Sequence, residues 1–70
     1  MNVVGPRVRQ LRESQGMTQE EFAARCNVNG WDVSRGTVAK IESQVRRVTD
    51  EEVAQLAKIL GVDLKALYPD

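Results

Sequence analysis

Two four-residue stretches, Thr18-Gln19-Glu20-Glu21 and Thr49-Asp50-Glu51-Glu52, constrain this chain more than anything else in it. In each, the threonine side chain can accept from the backbone amide three residues on. The glutamate at that position can reach back to the threonine amide, which makes the capping box that starts a helix. Met17 stands before the first box and Phe22 at the fourth helical position, the spacing of a hydrophobic staple. Two helix starts this well defined in a chain of 70 residues leave room only for short helices.

The remaining punctuation completes the division. Gly5-Pro6 opens a first helix, with proline at the first helical position, where its missing N–H costs nothing. Val8, Leu11 and Val4 form its apolar stripe, and Gly16 is its left-handed stop. The second helix runs to about Cys26, with Phe22, Ala23 and Cys26 on one face. Residues 27–33 then form a polar turn around Asn29-Gly30. Ser34 caps a third helix over residues 35–43, in which Val38 and Ile41 face inward at i, i+3 spacing. Residues 44–48 are a basic loop. The fourth helix places Val53, Leu56, Ala57 and Leu60 on one stripe and stops at Gly61. Asp63 caps a short fifth helix carrying Leu64 and Leu67, closed by Pro69. No segment alternates as a strand does, so the expected fold class is all-α, a five-helix single domain over residues 1–70.

Composition narrows the function. With 41% hydrophobic and 29% charged residues the chain reads as an ordinary globular protein. A chain this short buries only about 60% of its unfolded surface, so one modest core must suffice. The lone Cys26 has no internal disulfide partner and reads as a small core residue. Without histidine, no zinc site can be assembled from the usual ligands. The apolar runs fall far short of the roughly 20 residues that span a bilayer, and the N-terminus has no apolar signal region. The expectation is a cytoplasmic protein with no metal, cofactor or membrane partner. Without a glycine-rich phosphate loop or an acid/base pair, an enzyme is not expected.

The formal net charge is zero, but its distribution is uneven. Residues 1–47 hold eight basic side chains against five acidic, +3, and residues 48–70 hold two against five, −3. Such asymmetry suits a molecule with one face toward an anion.

Helices two and three are too brief to be stable alone and are joined by a turn, the arrangement of a helix-turn-helix. On the stretches RVRQLRESQGMTQEEFA (7–23), VSRGTVAKIE (33–42) and VAQLAKILGVDLKALYP (53–69), the chain resembles the Cro/repressor-like, or XRE-type and lambda-repressor-like, DNA-binding family. The resemblance implies a transcriptional regulator of phage or bacterial type, binding double-stranded DNA with helix three in the major groove and as a homodimer at least on DNA. By position it implies a phosphate contact for Gln19, where free amides and the helix dipole favour an anion. It implies a base-reading surface at Ser34, Arg35, Gly36, Thr37 and Lys40. Arg35 can meet guanine O6 and N7 with two hydrogen bonds, and Thr37 offers a hydroxyl and a methyl. Lys40 can reach a base or a phosphate, Gly36 lets the helix sit closer to the groove floor, and Ser34 is both a cap and a phosphate contact. Arg46 and Arg47 lie where the family's loop touches the backbone, and so contribute affinity and salt dependence. Arg12 and Glu42 match a largely buried ion pair tying helix one to helix three.

The chain departs from the family pattern in its turn, where residues 27–33 are about five longer than usual. Trp31 lies in that insertion and reads either as a lid over the turn or as a partner contact. The rival function is a protein-interaction module, an adaptor or antitoxin-like subunit on the same scaffold, with Leu64, Leu67 and Tyr68 as the contact surface for a dimer or a foreign partner.

Overall fold

The capping residues act where the sequence puts them. In the computed structural model, which describes residues 4–68, the elements are α1 (Val4–Ser14), α2 (Gln19–Val28), α3 (Arg35–Glu42), α4 (Asp50–Leu60) and a closing 3₁₀ turn, Leu64–Leu67. Thr18 and Thr49 both complete reciprocal boxes, with Glu21 and Glu52 respectively, and the Ser34 hydroxyl accepts from the Thr37 amide. No strand occurs among the described residues.

Four boundaries differ from expectation. α1 already includes Val4, so Pro6 is its third residue rather than its first. The cost is still nil, because the first four amides of a helix have no partner within it. α2 continues two residues past Cys26, to Val28, so part of the apparent turn insertion is helix. α3 stops at Glu42, with Ser43 as its C-cap. The fifth helix is a single 3₁₀ turn, making four α-helices among the described residues rather than five. Asp63 makes no side-chain cap; its carbonyl accepts from the Ala66 amide at 2.9 Å, the i→i+3 bond that four residues can close. Pro69, expected to end that element, lies outside the described residues.

One core joins every element. Val4 and Val8 of α1, Phe22 and Cys26 of α2, Val38 of α3, Leu56 of α4 and Leu67 of the 3₁₀ turn are fully buried. Burial in apolar surroundings pushes the Cys26 thiol up to about 11, so it is inert at neutral pH. Leu67 is therefore core and not contact surface, while Leu64 and Tyr68 are exposed. Trp31 is half-buried and packs against the same core, as the lid reading expected. Its amide donates to the Cys26 carbonyl at 2.9 Å, which folds the loop back over the end of α2.

The end of α3 is seated directly on α1. A β-carbon at Gly5 would run into the Ile41 carbonyl oxygen, so only glycine allows that approach. Two side chains, one on α1 and one just past its end, bind the C-terminal part of the chain: Arg7 Nε donates to the Ala66 carbonyl at 2.6 Å and Gln15 Nε2 to the Leu60 carbonyl at 2.8 Å. α1 is thus the backing against which both α3 and the closing turn are held.

Candidate nucleic-acid interface

α3 has one supported side and one open side. Val38 and Ile41 point into the molecule, and Glu42 gathers side chains from two other helices on its carboxylate. Arg12 Nε donates to Glu42 Oε2 at 2.7 Å and Nη2 to Oε1 at 3.2 Å, while Nη1 donates to the Met17 carbonyl at 2.6 Å. Gln19 Nε2, at the start of α2, donates to the same Oε1 at 3.0 Å. One carboxylate thus ties α1 and the first residue of α2 to the end of α3, and Arg12 extends the hold to the α1–α2 turn. The hydrogen bonds to Glu42 hold the Arg12 guanidinium even more firmly charged than usual, against the opposing effect of burial. No buried side-chain nitrogen or oxygen among the described residues lacks a partner, so the network is complete.

The open side carries the residues expected to meet DNA. Ser34, Arg35, Gly36 and Lys40 are exposed and Thr37 is half-buried. Ser34 Oγ lies 3.2 Å from Thr37 Oγ1, so cap and hydroxyl form one polar corner at the start of the helix. At Gly36 a β-carbon would meet nothing nearer than Ser34 Oγ at 3.6 Å; the bare backbone there faces open space. Gly36 and Lys40 are four residues apart and share a ridge of the helix. Among the described residues, neither Arg35 nor Lys40 has a side-chain hydrogen bond or ion pair.

Gln19 is turned inward by Glu42, but a carboxamide nitrogen carries two hydrogens, so one N–H remains for an anion. The two loop arginines differ. Arg46 is committed: Nη1 donates to Glu52 Oε1 at 3.1 Å and Nη2 to Oε2 at 2.9 Å. Those hydrogen bonds raise the Arg46 pKa and hold the Glu52 carboxyl below its ordinary value. Arg47 is exposed and its guanidinium has no partner among the described residues. The structure therefore brings Ser34, Arg35, Gly36, Thr37 and Lys40 onto one helix, with Gln19 beside its supported end, and diverts Arg46 to Glu52. By sequence Glu52 is only a capping residue; nothing in its spacing from Arg46 announces the second role.

A short, exposed, cation-bearing helix locked from behind by its predecessor defines a helix-turn-helix. The helix-turn-helix family matches over residues 8–67, and the chain belongs to it, a family of DNA-binding regulatory domains. Neither the curated proteins nor the solved structures compared with the chain give a match. Among the described residues no His, Cys, Asp and Glu group is placed to hold a metal ion, and no helix is long and apolar enough to cross a membrane.

Proposed function

We propose that the protein is a sequence-specific transcriptional regulator, of the phage or bacterial repressor type, that inserts α3 into the major groove of an operator. The carrying observation is the pair of unpartnered cations, Arg35 and Lys40, on the open side of a helix whose other side is fixed through Glu42. Arg35 meets guanine O6 and N7 bidentately, Thr37 presents a hydroxyl and a methyl, and Lys40 reaches a base or phosphate. Gly36 allows close approach. Ser34, the remaining N–H of Gln19 and Arg47 hold phosphates and set register. Arg46 adds its charge to that set only where a phosphate displaces Glu52.

The unit reads one half-site, and a homodimer reads a pseudo-palindrome with half-sites about 34–36 Å apart. The molecule measures 28 × 23 × 21 Å, so two copies side by side have the scale of that spacing. The setting is the cytoplasm of a bacterium or phage host.

Selection of bound fragments from random duplex DNA tests the reading. The expected outcome is an inverted repeat whose binding weakens steeply as salt rises. Arg35→Ala should then cost about 1–3 kcal/mol and relax one position of the motif, whereas Arg47→Ala should weaken all sequences equally and lower the salt slope by about 1. Motif-free retention, or a motif indifferent to Arg35→Ala, would refute it.

A further inference from the structure

The four helices end alike, with one exception in kind. Each closes with an amide bonded three residues back and the next amide bonded five residues back. The pairs are Gly16 to Glu13 with Met17 to Arg12, Gly30 to Asn27 with Trp31 to Cys26, Gln44 to Ile41 with Val45 to Lys40, and Gly61 to Lys58 with Val62 to Ala57, at 2.9–3.2 Å. This Schellman ending puts the first residue of each pair in the left-handed region and commonly tucks the second, when apolar, against the helix. Three endings comply. Gly16, Gly30 and Gly61 have φ of 73°, 86° and 69°, and Met17, Trp31 and Val62 pack on the core.

The ending of α3 breaks both halves of the rule. Gln44 takes φ 68°, the one non-glycine in that region among the described residues, and Val45 is 75% exposed. A β-carbon is sterically disfavoured there. Among the described residues the Gln44 carboxamide makes no hydrogen bond that would offset the strain, and Val45 buries little. Both side chains follow the helix whose open side carries Arg35 and Lys40. Gln44 stands one turn beyond Lys40, about 6 Å farther along the axis, and Arg47 is three residues on. Strain held at one site while equivalent sites avoid it points to a task outside the chain.

We propose that Gln44 and Val45 extend the DNA-contacting surface past Lys40, an inference that rests on the function proposed above. The Gln44 carboxamide hydrogen-bonds an adenine edge or a phosphate at the outer end of the half-site. Val45 lies against a sugar or a thymine methyl beside it.

Gln44→Gly and Val45→Ser in the full chain test this on the duplex selected by the unaltered protein, with Arg35→Ala as the control. Gln44→Gly relieves the strain, so it should melt roughly 4–8 °C higher yet bind about fivefold more weakly or worse. If the loss is confined to one outer base pair, Gln44 reads that base; if it is the same on every sequence, Gln44 holds a phosphate. Val45→Ser should leave the melting temperature in place and weaken binding. Unchanged affinity and motif in both variants would overturn the proposal. Weaker binding by Gln44→Gly with a lower melting temperature, and none by Val45→Ser, would also overturn it, since that reports damaged structure. Should the selected duplex be indifferent to Arg35→Ala, the DNA reading itself fails, separately from the role of Gln44.

Discussion

The chain contains two arginine–glutamate pairs, each joined by two hydrogen bonds, in very different surroundings. Arg12 and Glu42 have side chains only 7% and 3% exposed, whereas Arg46 and Glu52 are 36% and 22% exposed. The buried pair joins elements 30 residues apart in sequence and takes further bonds from Gln19 and to the Met17 carbonyl. The outer pair joins a loop to the first turn of the next helix, six residues on. Burial, not bond length, separates their roles. Removing charge from water costs several kcal/mol per ion, so the inner pair survives only because every prong is matched. The outer pair gives up little hydration and is worth correspondingly little.

Removing one inner partner should produce the largest effect. Glu42→Ala leaves the Arg12 guanidinium buried and unpaired, an expected loss of about 3–5 kcal/mol. A domain of this size has only about 4–10 kcal/mol in total, so most of the cooperative thermal transition should disappear. Cys26 offers a second reading of the same event: its buried thiol should alkylate quickly in Glu42→Ala and stay slow in a variant of the outer pair. A Glu42→Ala protein within about 1 kcal/mol of the parent in stability would show that the pair is not the keystone of the fold.

Replacing both inner partners sharpens the point. Arg12→Met with Glu42→Leu should recover much of the stability lost in Glu42→Ala, since well-packed apolar substitutes for a buried pair are often neutral or better. Gln19 loses its acceptor in that variant. DNA binding should therefore remain impaired after folding returns, which a binding isotherm beside a urea titration would reveal. Full recovery of both would mean that the network stabilises without positioning.

The outer pair should respond weakly in stability and in the opposite sense in binding. Glu52→Gln preserves the capping box, which accepts glutamine, and should cost no more than about 1 kcal/mol. It also frees Arg46, so affinity for DNA should rise, with a salt slope steeper by up to about 1. An unchanged slope would show that Arg46 does not face phosphate even when released.

Acid gives the smallest signal. The Arg46 hydrogen bonds hold the Glu52 carboxyl below its ordinary value of 4.5, so its contribution is present above that value and fades as pH falls through the lower folded-state value. The stability difference between the parent and Glu52→Gln should accordingly shrink below about pH 4.5. A difference that persists into stronger acid would assign it to packing instead.

Much of the framework was legible before any coordinates, because capping and stopping are local. Thr18 with Glu21, Ser34, Thr49 with Glu52, Gly16 and Gly61 each act within a few residues of themselves. The resemblance also paired Arg12 with Glu42 correctly. It could not show that Gln19, expected at a phosphate, also spends one N–H on that carboxylate, nor that Arg46 is held by Glu52. Leu64 and Leu67 looked equivalent as two leucines three residues apart, yet only Leu67 meets the core. Asn27 and Val28 looked like turn because neither is a strong helix former, and the helix continues through them because the following Gly30 supplies the stop.

The chain's own sequence determined where α2, α3 and α4 begin, where three of the helices stop and which stripes are apolar, since those depend on φ/ψ preference and on bonds spanning three to five residues. Only the tertiary structure decided which charges are free. An arginine has the same local chemistry at positions 12, 35, 46 and 47. Whether it locks a helix, faces a groove or is neutralised by a neighbour depends on which carboxylate the packed core carries to within about 3 Å of it.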